Sequence, residues 1–306
     1  MGNVERRDVE FVADDGVRLR GWLFVPEGSQ PRPAVTMAHG YAGVKEHGLE
    51  PFATAFAEAG FVVLLHDHRT FGASGGEPRQ EVDPGQQIED WRRAVSFLEA
   101  QAEVDPDRIG LWGTSYAGGH AIVMGATDRR LRCVVAQVPT ISGYQQGLRR
   151  VAPDAIAGLE HALADEERAR FRGEPLRRQV IVSADLSVPA SYRAPDAIEF
   201  YLQNVPDGSW ANEVTVRSSR LARMYEPGAW IARVSPTPLL VIVVLADTVT
   251  LTDLQLAAYE QALEPKRLVT IPGGHFDPYR AEFGTASAAA VDWFSEHLAP
   301  HNEGRQ

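Results

Sequence analysis

Short apolar runs alternate with segments of helical spacing along most of the chain. Two strand-like segments flank a turn at Asp14, Asp15 and Gly16, and the apolar runs "PAVTMAHG", "FVVLLHD", "RIGLW" and "LRCVVAQVP" follow. Parallel strands that are buried on both faces have continuous apolar sequences, because helices cover both sides of their sheet. The alternation therefore predicts an α/β fold with a mostly parallel, twisted sheet and helices on both faces.

The alternation is interrupted between residues 141 and 235. Helical spacing dominates "DAIAGLEHALADEERARF", "PDAIEFYLQNVP" and "SSRLARMYEP", and only "QVIVSA" at 179–184 has an ambiguous, strand-like character. A strongly apolar run, "PLLVIVVLAD", then restores the pattern. The predicted organisation is a core domain formed by residues 1–140 and 236–306, with a helical lid inserted at 141–235.

Composition and charge exclude several classes of function. The 306 residues carry a net charge of -11, which argues against nucleic acid or an anionic membrane as a partner. No apolar run reaches the length of about 18 residues that a membrane helix needs. The single cysteine, Cys133, and the lack of an apolar signal segment favour a cytoplasmic location. No pattern requires an oligomer, although a hydrophobic lid face is compatible with a homodimer.

The stretch "RIGLWGTSYAGGH" places Ser115 between a buried strand and a helix, with Gly113 and Ala117 two residues to either side. Small flanking residues allow the tight turn that presents a nucleophilic serine at the carboxyl edge of a sheet. Alanine replaces the more usual glycine at position 117. A purely structural strand-to-helix turn is the alternative interpretation of this stretch.

A serine nucleophile needs a base, and the base needs an acid that orients it. Asp247 ends the run "LLVIVVLAD", and His275 follows the last apolar strand in "IPGGHFDPY". Both positions are strand ends, which meet at one edge of a parallel sheet. Asp253 and Asp277 are alternative acids, but Asp253 has the position of a helix N-cap and Asp277 is very close to His275 in sequence.

The chain resembles the α/β-hydrolase superfamily, in particular bacterial serine hydrolases similar to dienelactone hydrolases and to Xaa-Pro peptidases. The resemblance is carried by "AHGYAGVKE", "HDHRTFGASGGEPR", "GTSYAGG", "LADTVT" and "GGHFDPY". It implies an oxyanion hole built from the backbone N–H groups of Tyr116 and Tyr41. The Tyr41 hydroxyl is a secondary donor, and a role of its ring as a wall of the pocket is the alternative.

These residues predict a serine hydrolase that cleaves a small-molecule carboxylic ester, thioester or lactone through an acyl-enzyme on Ser115. An amide or peptide hydrolase of the Xaa-Pro type is one alternative, and a non-catalytic binding protein on the same fold is another. No cofactor is expected, and no metal, since His66 and His68 lack a third ligand. Substrate-binding residues stay unassigned, because the larger lid side chains could line an acyl pocket or form the core of the lid: Phe200, Tyr201, Trp210, Met224, Tyr225 and Trp230.

Overall fold

The computed structural model describes residues 3–300 and contains an eight-stranded sheet. The strands are β1 (Val4–Val12), β2 (Arg18–Pro26), β3 (Arg32–Ala38), β4 (Val62–His66), β5 (Val104–Thr114), β6 (Leu131–Gln137), β10 (Leu239–Val244) and β11 (Lys266–Ile271). Their spatial order is β1-β2-β4-β3-β5-β6-β10-β11. The β1–β2 and β2–β4 pairs are antiparallel and all others are parallel. The predicted mostly parallel sheet is confirmed.

The central strands are apolar on both faces because helices cover both sides of the sheet. Every residue of β4 and β10 is buried, which explains their unbroken apolar sequences. One face packs against α1 (Glu50–Glu58) and α9 (Phe283–His297), and the other against α2 (Pro84–Glu99), α3 (Tyr116–Thr127) and α8 (Thr252–Gln261). Within residues 3–300, no helix is both long and apolar enough to cross a lipid bilayer.

Residues 141–235 follow β6 and contain four helices, one more than the three that the spacing predicts, and also a small sheet. The helices are α4 (Gly143–Arg149), α5 (Ile156–Phe171), α6 (Pro195–Tyr201) and α7 (Val216–Met224), and a 3₁₀ segment spans Pro227–Arg233. Strand β7 (Arg178–Val182) lies between β8 (Ala190–Tyr192) and β9 (Val214–Thr215). The ambiguous stretch at 179–184 thus contributes to a strand, and two further short strands were not predicted.

The missed sheet is explained by the length and separation of its strands. β8 and β9 have only 3 and 2 residues, too few for a period of two to be visible. β7 pairs with residues that lie well downstream in the chain, a contact that local sequence does not reveal. The division into a core domain and a separate lid domain stays a prediction.

The junction of β5 and α3 depends on a glycine, which yields a prediction about stability. A methyl group on Gly113 would overlap the backbone carbonyl of Ala117 in the next turn of chain. We expect Gly113→Ala to lower the free energy of unfolding by about 1–3 kcal/mol, the usual cost of overpacking a dense core. Urea denaturation measures this change.

The matched control is Gly158→Ala, because Gly158 lies in α5 with open space around its Cα. Alanine is a better helix former than glycine, so this variant should gain up to about 1 kcal/mol. Equal stability changes for the two variants would contradict the proposed steric role of Gly113.

Candidate active site

Ser115 occupies a sharp reversal between β5 and α3. Its backbone has φ 57° and ψ -118°, a conformation that residues other than glycine rarely adopt. Hydrogen bonds fix this turn, since the Ser115 N–H donates to the carbonyl of Gln137 and the Ser115 carbonyl accepts from the N–H of Thr140 at 2.9 Å. The turn thereby holds the side chain of Ser115 at the carboxyl edge of the sheet.

The structure brings Ser115, His275 and Asp247 together in one hydrogen-bonded chain. The Oγ of Ser115 lies 2.9 Å from Nε2 of His275, and Nδ1 of His275 lies 2.9 Å from Oδ2 of Asp247. His275 is 2% exposed and Asp247 is 5% exposed. Each residue follows a strand of the central sheet, so three distant segments of the chain converge as their positions at strand ends predict.

Asp247 accepts several hydrogen bonds in addition to its contact with His275. Its Oδ1 accepts from the backbone N–H groups of Val249 and Thr250, and its Oδ2 accepts from Thr250 Oγ1 and Gln255 Nε2. Burial raises the pKa of Asp247, but the charge and hydrogen bond of His275 and the hydrogen bonds from Thr250 together hold that pKa well below its ordinary value. The ionised carboxylate therefore favours the tautomer of His275 with its proton on Nδ1 and a free acceptor at Nε2.

Neither alternative acid contacts His275. Asp253 lies at the surface in an ion pair with Arg149, and Asp277 Oδ2 accepts from the backbone N–H of Gly274. The expectation that Asp253 is an N-cap is wrong, because α8 begins at Thr252 with Leu251 in the cap position. At the start of α8, Oγ1 of Thr252 donates a hydrogen bond to the carbonyl of Val244.

The two predicted oxyanion donors belong to the residue that follows Ser115 and to a loop that approaches Ser115. Tyr116 is the first residue of α3, so its N–H is among those that a helix leaves without an intrahelical partner. Gly40 precedes Tyr41, and a Cβ on Gly40 would lie 3.4 Å from Ser115 Oγ. This close approach brings the backbone that leads into Tyr41 next to the nucleophile.

The side chain of Tyr41 is engaged elsewhere. Its ring makes edge contacts with Tyr116 and Tyr192. Its hydroxyl lies near Ser219 and Ser191, which belong to residues 141–235, called the inserted segment below. Burial raises the pKa of this hydroxyl. Tyr41 thus forms part of a cavity wall, the alternative that its sequence context allowed.

Two cavities meet at Ser115. A cavity of about 750 Å³ lies under the inserted segment, lined among others by Tyr116, Gln146 and Tyr192. A pocket of about 20 Å³ on the other side is lined by His275, Phe200 and Tyr201, among others. Of the larger lid side chains, Phe200 and Tyr201 therefore face the site, whereas Met224 and Trp230 are exposed.

Sequence reasoning missed Thr250 and Gln255, which complete the surroundings of Asp247. Thr250 follows Asp247 by three residues, a spacing at which short polar side chains often contact each other in a turn. Its Oγ1 also lies 2.9 Å from the carbonyl oxygen of Val138, so the acid loop packs against the residue that follows β6. Gln255 gave no comparable signal, because its side chain reaches Asp247 only through the packing of α8.

A cluster of buried histidines lies beside the site. Rings of His39, His66 and His120 surround His68 with centroid separations of 4.7, 5.5 and 5.5 Å. Burial lowers the pKa of His39 to about 4 and the pKa values of His66 and His120 to about 3. In the described range 3–300, no three His, Cys, Asp or Glu side chains are placed to hold a metal ion.

A solved structure with a similar fold is an α/β hydrolase. The crystal structure of the α/β hydrolase GrgF from Penicillium sp. sh18 superposes with a TM-score of 0.83 at 29% identity, and covers 97% of this chain and 100% of that one. The quorum-quenching protein AidA of Acinetobacter baumannii is 32% identical over 278 residues, which cover 90% of this chain and 89% of that protein. Thiohydrolase aneE of Aspergillus aculeatus is 35% identical over 278 residues, covering 85% and 83%.

The family described as X-Pro dipeptidyl-peptidase (S15 family) matches residues 15–277, and the chain belongs to it. The comparisons confirm the predicted α/β-hydrolase fold and the prediction of an esterase-type hydrolase.

Replacement of the acid tests the role of Asp247. Asp247→Asn would place a neutral group against His275 and remove the preference for the Nδ1–H tautomer. We expect kcat for an activated ester to fall on the order of 10⁴-fold, as in serine protease triads. Steady-state kinetics measure this loss. Asp253→Asn is the matched control and should retain activity, so similar losses in both variants would contradict the assignment.

The buried histidines predict an acid-labile fold. Their pKa values are lowered in the folded state, so the unfolded chain binds more protons below its histidine pKa of about 6.5. Stability is therefore complete above pH ~6.5 and declines as the pH falls toward about 4. Denaturant titrations at several pH values measure the slope.

His66→Phe should make this slope shallower by up to about 1.4 kcal/mol per pH unit, because one buried proton acceptor is lost. His66 suits the test, since neither of its ring nitrogens has a hydrogen-bond partner among the described residues and its ring packs against Phe11 and Trp91. His161→Phe on exposed α5 is the control. An unchanged slope in His66→Phe would refute the explanation.

Proposed function

We propose that this hydrolase cleaves a carboxylic ester, thioester or lactone through an acyl-enzyme on Ser115. The observation that carries the proposal is the unbroken chain of 2.9 Å contacts from Ser115 Oγ through the imidazole of His275 to Asp247. A buried, ionised acid that orients a histidine against a serine hydroxyl is the arrangement that activates serine for acyl transfer.

In the proposed mechanism His275 Nε2 removes the hydroxyl proton as Ser115 Oγ attacks the substrate carbonyl. Asp247 stabilises the imidazolium that forms, and the N–H groups of Tyr41 and Tyr116 stabilise the tetrahedral oxyanion. His275 then protonates the leaving group as its bond to the carbonyl carbon breaks. Water, deprotonated by His275, attacks the acyl-enzyme and releases the acid.

The substrate bond is proposed to be an ester or thioester rather than a peptide bond. The name of the relative aneE, a thiohydrolase, supports a thioester. A substrate of a dipeptidyl-peptidase carries a free amino terminus, which is largely protonated at neutral pH. The charged side chains described in the lining of the large cavity are Arg150, Arg193 and Arg223, which repel such a cation.

A small-molecule substrate fits a cavity of this size, since ligand pockets measure about 300–1,000 Å³. A cytoplasmic location is also proposed, supported by the single cysteine, Cys133, which is buried. The absence of a nucleic-acid or membrane partner and the possible homodimer stay predictions.

Covalent labelling tests the proposed nucleophile. A fluorophosphonate should add once to the wild-type protein and not to Ser115→Ala, because only an activated serine attacks the phosphorus centre. Intact mass spectrometry reads the adduct, and a small sulfonyl fluoride tests whether the inserted segment blocks the larger probe. Ser287→Ala, in α9, should still be labelled. A folded wild-type protein that reacts with neither probe would instead support a binding protein.

A further inference from the structure

The large cavity beside Ser115 has a charge opposite to that of the protein. The chain has a net charge of -11. Among residues 3–300, however, those that line this cavity include three arginines and no aspartate or glutamate. The arginines are Arg150, Arg193 and Arg223. Among the described ion pairs, only Arg223 of these three residues pairs with a carboxylate, so the positive wall points to an anionic ligand.

Arg223 is the most constrained of the three. Its side chain is 14% exposed, and Nη2 pairs with Glu160, an exposed residue outside the lining. Nη1 is buried and has no hydrogen-bond partner among the described residues. A buried guanidinium donor without a partner is costly, so the described residues leave the charge of Arg223 only partly compensated beside the cavity.

Arg150 also lacks a carboxylate partner within residues 3–300. Its Nη2 donates to the carbonyl of Val249 at 2.5 Å, and its guanidinium lies 4.9 Å from the ring centroid of Tyr192. Arg193 is exposed and donates to the backbone carbonyls of Asp185 and Val188. Arg150 and Arg223 are therefore the two cations best placed for a ligand.

Helix α4 begins close to the turn of Ser115, and Arg150 directly follows its other end. The N–H of Thr140 donates to the carbonyl of Ser115, so the start of α4 lies beside the turn. Gly143, Gly147 and Arg150 share one face of the helix and all line the cavity. Seven residues at a rise of 1.5 Å place Arg150 about 10 Å from the end of α4 nearest Ser115.

The large cavity is on the acyl side of the scissile bond. His275 must protonate the leaving group, so the leaving group lies beside its imidazole. His275 lines the small pocket of about 20 Å³ and is not among the described residues that line the large cavity. The leaving group is thus assigned to the side of His275 and the acyl chain to the large cavity.

We propose that the enzyme selects acyl chains that carry a carboxylate, with Arg223 and Arg150 as its specificity determinants. Guanidinium groups bind carboxylates through short, charge-assisted hydrogen bonds, which are stronger in a partly buried cavity than in water. The inference rests on the proposed acyl-enzyme on Ser115 and names the substrate class of that site.

The test compares p-nitrophenyl monoesters that differ only in the end of the acyl chain. Wild-type kcat/KM should be about tenfold or more higher for the suberate monoester, which ends in a carboxylate, than for the octanoate ester. This ratio should fall as salt is added, because the recognition is electrostatic. A carboxylate is also tried on the alcohol side, in butyrate esters of 8-hydroxyoctanoate and of octanol.

Arg223→Gln should bring the suberate-to-octanoate ratio close to one, and Arg223→Lys should restore part of it. Arg150→Gln should lower the same ratio. The ratio is compared rather than the absolute rate, because Arg150 also supports the loop of Asp247 through Val249. Arg149→Gln is the matched control, since Arg149 pairs with Asp253 at the surface and should keep the wild-type ratio.

Equal rates for suberate and octanoate, or an unchanged ratio in Arg223→Gln, would overturn the inference, while hydrolysis of p-nitrophenyl butyrate would still support the proposed function. A preference for the carboxylate on the alcohol side would overturn its placement on the acyl chain. Failure to hydrolyse any ester, together with no fluorophosphonate adduct, would refute the proposed function and this inference with it.

Discussion

The reversal of the chain at Ser115 is the constraint on which the site depends. A residue with a side chain adopts a positive φ there, and the surrounding structure must hold it in place. Glycines make this possible, because side chains at Gly40 and Gly113 would collide with the turn. The hydrogen bonds of Ser115 with Gln137 and Thr140 then anchor the turn to the end of β6. The strain is thus compensated by a neighbouring strand.

Buried charge organises the loops around this turn. The carboxylate of Asp67 accepts from both Nζ and the backbone N–H of Lys45, at 2.7 and 2.8 Å, and ties the loop after β3 to the loop after β4. Arg69 makes a two-point contact with Asp90 on α2. A buried charge without such partners would be strongly unfavourable, so these pairs set loop positions more than they add stability. Asp247 follows the same rule at the site itself, where four donors besides His275 satisfy its oxygens.

The inserted segment supplies most of the side chains that line the large cavity beside Ser115. The core sheet presents a nucleophile, a base and an acid at one edge, whereas α4, α7 and the small sheet form walls of the large cavity. Three arginines in that wall create a positive interior in an acidic protein. Substrate choice is therefore a property of the segment whose sequence pattern is least regular.

Sequence alone determined the class of fold and the positions of Ser115, Asp247 and His275. Parallel strands are recognisable by their unbroken apolar runs, and their carboxyl ends share one edge, so residues at those ends must converge. Only the tertiary structure decided which helix residue begins α8, that β7 finds partners in β8 and β9, and that Gln255 reaches Asp247. It also decided that Arg150 and Arg223 face one cavity. These features depend on how side chains and short strands pack in three dimensions, at separations of eight residues and more along the chain, which no periodic pattern encodes.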